Sequence, residues 1–149
     1  MSLRRPPVPA RPLTSEVELT AVWQRVLAHE PLRFRALWVL FLDEGARPTG
    51  PLITVDDLPD GPYDIPESDL LTMCGGVLDG PGGGGSVAFL LTRPGRDRWT
   101  VSDRAWGRFL IGVGAQVGAV AWPAHWARTG LLEPVRLPEP VRRSARRSA

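Results

Sequence analysis

The sequence predicts a small α/β domain, a mixed β-sheet flanked by helices and carried between disordered basic tails, and three stretches predict it. From Ser86 to Trp126 the chain reads strand, helix, strand within about forty residues, the size of a crossover unit that joins parallel strands. Arg35 to Leu42 is a nearly continuous apolar run, and Leu52-Ile53-Thr54-Val55 is placed to return beside it as the second arm of an antiparallel hairpin. Ser15-Glu16-Val17-Glu18 has the spacing of a capping box and opens an amphipathic pattern. Parallel and antiparallel pairings together make the sheet mixed.

Taken in order, residues 1–12 hold three arginines, four prolines and no acid, which predicts a disordered arm. The first helix follows the capping box. Leu19, Val22, Trp23, Val26 and Leu27 share one face, and Pro31 sets its end. His29 falls in its last turn, where a solvated or capping role is expected. Asp43-Glu44-Gly45 breaks the first strand and leads through a loop to the second. Residues 56–66 are an acidic, Pro-interrupted excursion with Asp56, Asp57, Asp60 and Asp64. They lack the alternating pattern of a calcium loop and read as a solvated loop.

Pro66 then precedes Leu70, Met73, Cys74 and Val77 at helical spacing, with Gly75 and Gly76 each weakening that helix by roughly 1 kcal/mol relative to alanine. Gly80-Pro81-Gly82-Gly83-Gly84-Gly85 reads as a linker. A phosphate loop would need a Gly-Lys-Ser/Thr ending, and the sequence has no lysine. Val87-Ala88-Phe89-Leu90-Leu91 is a strand buried on both faces. After a turn-rich connector, Ser102-Asp103 is placed to cap a helix whose face is Trp106, Leu110, Val113 and Val117. Ala119-Val120-Ala121-Trp122 is the expected last strand, ended by Pro123. The stretch 123–132 reads as loop, and the disordered Arg-rich tail spans 134–149, leaving one domain over 13–133.

All 18 basic residues are arginine, and they are segregated. Residues 13–135 carry ten arginines against fifteen acids, whereas 136–149 carry five against Glu139 alone. An acidic body does not favour nucleic acid, so phosphate contact is left to the tails through Arg4, Arg5, Arg142, Arg143, Arg146 and Arg147. The single cysteine, Cys74, excludes an intrachain disulfide and fits a reducing, cytoplasmic setting. No run approaches 18 apolar residues, and the basic start leads into prolines, so neither membrane spanning nor secretion is expected.

The order helix, strand, strand, helix, strand, helix, strand resembles the JAB/MPN metalloprotease-like fold, and more narrowly its RadC-type bacterial domain. Val39-Leu40-Phe41-Leu42-Asp43 is similar to the family's first strand, which ends in Phe-Leu-Asp. Leu90-Leu91-Thr92-Arg93-Pro94-Gly95 occupies the place of the family's His-x-His-Pro-Ser-Gly metal motif, and Thr100-Val101-Ser102 the loop before the next helix. The resemblance spans roughly residues 14–124. It puts Leu91 and Arg93 where the two metal-binding histidines would stand, and the liganding Asp position on Arg104 or Ala105, with Asp103 the closest acid. Leucine does not bind zinc, and arginine brings a fixed cation. The resemblance therefore implies an inactive, non-enzymatic member retained for binding, with no cofactor and no metal; its supposed DNA connection gives the nucleic-acid alternative.

Outside that motif, Cys74, Asp103 and His125 are the groups from which an unconventional site would be built, and none lies in a recognisable catalytic spacing. Six tryptophans are the other signal. Trp99 and Trp126 fall in predicted loops beside Arg93, Arg96, Arg98 and Arg128. Together with His125 these form the candidate interface for another protein or for a second copy of the chain, since aromatic and arginine side chains are enriched in hot spots. The competing reading is partial packing, with arginine stems laid over the rings.

Overall fold

A computed structural model describes residues 2–4, 11–63, 65–78, 85–118 and 120–136. Its elements are β1 (Ser2–Arg4), α1 (Glu16–Leu27), β2 (Ala36–Leu42), β3 (Pro48–Val55), α2 (Glu67–Leu78), β4 (Ser86–Thr92), α3 (Val101–Gly114), β5 (His125–Arg128) and β6 (Leu131–Pro134). The strands form one sheet in the order β1-β3-β2-β4-β5-β6. Among the described strands, β4 and β5 run parallel and every other neighbouring pair is antiparallel. The sheet is therefore mixed.

Alternation along the central strands divides the core into two layers. Ala36, Trp38, Leu40 and Leu42 of β2, with Ala88 and Leu90 of β4, meet Leu19, Val22 and Trp23 of α1. Leu37, Val39, Phe41, Val87, Phe89 and Leu91 meet Leu70, Cys74 and Leu78 of α2 and Trp106, Leu110 and Val113 of α3 on the other face. Both strands read as unbroken apolar runs because each of their faces has a helix to bury against.

Ser15 caps α1 by accepting from the Glu18 amide, as the spacing predicts. The third helix is capped two residues before Ser102: Thr100 is its cap, and Thr100 with Asp103 completes a reciprocal capping box. Thr100 stands three residues before Asp103, the separation that this geometry requires, whereas Ser102 is adjacent to it.

Of the strand expected at Ala119–Trp122, Ala119 lies outside the described residues and the remainder forms only an isolated bridge, Val87 to Ala121. The parallel partner of β4 is instead β5, beyond Pro123, and it turns back into β6 within the stretch expected to be loop. Gly130 holds φ +82° in that turn. Pro134 ends β6 and Val135 is buried, so ordered structure continues past the expected start of the tail. At the other end, Ser2–Arg4 lie within the expected arm yet pair with Leu52–Thr54 at the sheet edge. The Gly-rich linker lies outside the described residues except for Gly85, whose Cβ would fall 1.6 Å from the Leu42 carbonyl oxygen, a close approach only glycine permits.

Candidate functional site

The ends of β4 and the start of α3 meet at a buried charge cluster. Arg93 continues the α2/α3 face of β4, and its Nε donates to both Asp103 carboxylate oxygens at 3.0 Å. Its Nη1 donates to the Pro94 carbonyl, and its Nη2 to those of Asp97 and Arg98. One guanidinium thus closes the 93–98 loop and fastens it to the helix. Asp103 is fully buried and also accepts from the Thr100 amide and hydroxyl. Arg35, just before β2, brings a second cation to 3.6 Å from the same carboxylate. Burial pushes the Asp103 carboxyl upward, but the hydrogen bonds from Arg93 and Thr100 and the Arg93 charge outweigh it and hold the group below its usual range. This acid is committed to its partners.

Beside the cluster, Trp99 stacks on Trp126 with ring centroids 4.2 Å apart, and both indoles donate to Oε1 of Glu133. Arg93 and Arg128 place their guanidinium groups 5.3 and 5.4 Å from the Trp99 centroid. Arg128 Nη1 also donates to the Arg96 carbonyl. Trp126 is buried on β5, Trp99 and Arg128 are half-buried, and of the candidate interface only Arg96 and Arg98 are exposed. The arginine and tryptophan signal thus resolves largely into internal packing.

His125 is corrected more sharply. It lies on the opposite face of β5, fully buried beneath α1. Its Nδ1 is 3.2 Å from the Pro123 carbonyl and its Nε2 is 2.7 Å from the Thr20 hydroxyl. A carbonyl only accepts, so Nδ1 carries the proton; the Thr20 hydroxyl at Nε2 is also 3.0 Å from the Glu16 carbonyl, and its single proton serves one of the two acceptors. Burial is the main cause of its lowered pKa; the Pro123 carbonyl and Glu16 oppose it, and Arg136 adds to it. It is therefore a neutral core histidine and not an interface residue. Burial also pushes the Cys74 thiol up to about 12, leaving no thiolate at neutral pH. Cys74 packs in the α2/α3 core, on the other side of the sheet from His125, so the two do not meet.

Arg4 pairs with Glu30 and sits 5.0 Å from the Trp38 ring centroid. Arg5, Arg142, Arg143, Arg146 and Arg147 lie outside the described residues. Arg35, Thr100, Glu133 and Thr20 are the site residues that sequence reasoning missed. Thr100-x-x-Asp103 was visible as a capping box; the others are set by contacts between distant strands and helices. Among the described residues, no three His, Cys, Asp or Glu side chains are grouped to hold a metal ion, and no helix is long and apolar enough to cross a membrane. No protein-family model, curated protein or solved structure matches the chain.

Proposed function

We propose that the chain is a non-enzymatic protein-binding domain, an inactive relative of JAB/MPN-like domains. One observation carries the reading: Asp103, the acid nearest the place where the resemblance puts a metal, has both carboxylate oxygens held by Arg93. A guanidinium stays protonated at any physiological pH and offers no lone pair, so it neither binds a cation nor moves a proton. The other groups with chemical potential support the same reading, because Cys74 is held as a thiol and His125 is sealed under α1. With these groups committed, binding is left to the exposed surface around Arg96 and Arg98.

The test is native mass determination of the full chain recovered from its own cells, with metal analysis of the same sample. A stoichiometric protein complex or homodimer free of transition metal is expected. Stoichiometric zinc on the chain would overturn the proposal.

A further inference from the structure

At the sheet edge away from β5 and β6, the chain's own Ser2–Arg4 lies along β3. The register sets Ser2 beside Thr54, Leu3 beside Ile53 and Arg4 beside Leu52. Cross-strand neighbours share a face, so Ser2 and Arg4 stand on the side of Thr54 and Leu52, which is also the side of Trp38 and α1. There Arg4 meets two groups that suit a guanidinium: the Trp38 ring, 5.0 Å from its centroid, and the Glu30 carboxylate just beyond α1. Trp38 is buried and its indole donates to Thr92 Oγ1, which holds the ring in place. The receiving half of this contact is therefore fixed by the core.

The occupying half is weakly held and fits incompletely. β1 is three residues long and all three are exposed, with Leu3 at 65%, so no apolar burial secures it. What remains is edge backbone pairing, which exchanges water for protein partners at small net gain, and a partly exposed ion pair. Thr54 is fully buried, yet its hydroxyl has no hydrogen-bond partner among the described residues, although Ser2 is the residue opposite. An unpaired buried hydroxyl is costly. An amide side chain at the Ser2 position, longer than serine, spans the roughly 5 Å between paired Cβ atoms and satisfies it.

We infer that the β3 edge is a docking site for an extended segment of another protein, which gives an arginine to Trp38 and Glu30 and an amide side chain, two residues earlier, to Thr54. Ser2–Arg4 is the strap that closes this site until such a segment displaces it. Strand addition of this kind draws affinity from the main chain and specificity from alternate side chains. The strap itself shows the strand direction and the guanidinium; the Thr54 hydroxyl shows where the strap falls short. A second copy is not the occupant, because its strap repeats the same Ser2–Thr54 misfit and competes with one tethered in place. The site is separate from the Arg96/Arg98 surface on the β4–α3 connection, so either can fail while the other stands.

Fluorescence anisotropy of the full-length chain tests it with labelled peptides of sequence Ser-Leu-Arg-Arg-Pro-Pro, residues 2–7, and their Ser2→Asn and Ser2→Asn/Arg4→Ala forms. The chain is used unmodified and as Arg4→Glu, in which Glu30 repels the strap; Arg4→Ala opens it without repulsion, and circular dichroism verifies folding of both. Arg4→Glu is expected to bind the Ser2→Asn peptide about tenfold or more tightly than the unmodified chain does, with Arg4→Ala acting in the same direction. Among the peptides, Ser2→Asn is expected to bind more tightly than the parent, and removal of its arginine to weaken it about tenfold. Equal affinity of unmodified and opened chains, equal affinity with and without the arginine, or no binding by the opened chains overturns the inference. So does a dimer mass in sedimentation of the unmodified chain that Arg4→Glu abolishes, which would assign the edge to the strap of a second copy.

Discussion

Two buried polar groups sit at the ends of neighbouring parallel strands, Arg93 after β4 and His125 at the start of β5, and the molecule treats them oppositely. Arg93 remains charged and is surrounded by acceptors: one carboxylate and three carbonyls. His125 is neutral and has one acceptor and one hydroxyl. The difference follows from intrinsic basicity. A guanidinium cannot shed its proton to escape desolvation, so its surroundings must supply countercharge; an imidazole titrates near neutrality and is buried by losing its charge. A buried basic residue therefore indicates chemistry only when its neighbours leave it uncommitted, and neither of these does.

The comparison breaks most severely at Asp103. Asp103→Ala strands Arg93 in the interior without its countercharge and is expected to lower unfolding free energy by about 3–5 kcal/mol in urea denaturation. The double substitution Arg93→Met/Asp103→Leu removes both charges and is expected to recover most of that loss. Equal destabilisation by the single and double variants would show that packing, not the stranded charge, sets the cost.

His125 sharpens the contrast through pH. Its folded pKa lies below the unfolded one, so the unfolded chain binds the extra proton first. Stability is full above about pH 6.5 and falls as pH drops below it. Replacing His125 by Gln is expected to abolish this part of the pH profile, read as melting temperature from pH 7 to pH 5. Asp103, whose folded pKa is lowered, adds a second loss only as pH falls below about 3.9. Thr20→Val, which strips the hydroxyl from Nε2 while keeping the shape, is expected to cost about 1–3 kcal/mol at pH 7.

The smallest effect is expected at Thr100. Thr100→Ala removes the side-chain half of the capping box but leaves the Thr100-position amide bonded to Asp103. A loss of about 1 kcal/mol is expected in the same denaturation assay. A loss as large as that of Asp103→Ala would mean that the hydroxyl, and not Arg93, holds the carboxylate in place.

Much of the scaffold was legible from local signals. The capping box at Ser15, the apolar runs of β2 and β4 and the helical spacing of Trp106, Leu110 and Val113 each correspond to an observed element. The edge strands were not. β1 and β6 are three and four residues long, too short for a period to emerge, and they exist because a neighbouring strand offers unpaired backbone groups. The Ala119–Trp122 run misled because apolar character alone does not choose between a strand and its approach; pairing of Leu90 with His125 chose it.

The candidate site divides in the same way. The sequence by itself determined that Leu91 and Arg93 bring no metal donors, because donor chemistry belongs to residue type wherever the residue sits. Only the tertiary structure decided that Arg93 closes on Asp103, that Trp99 and Trp126 share Glu133, and that His125 faces α1 while Trp126, its neighbour in sequence, faces away. Each of those outcomes depends on which face of a strand a side chain takes. One residue of register reverses that face, and register is set by pairing between distant parts of the chain.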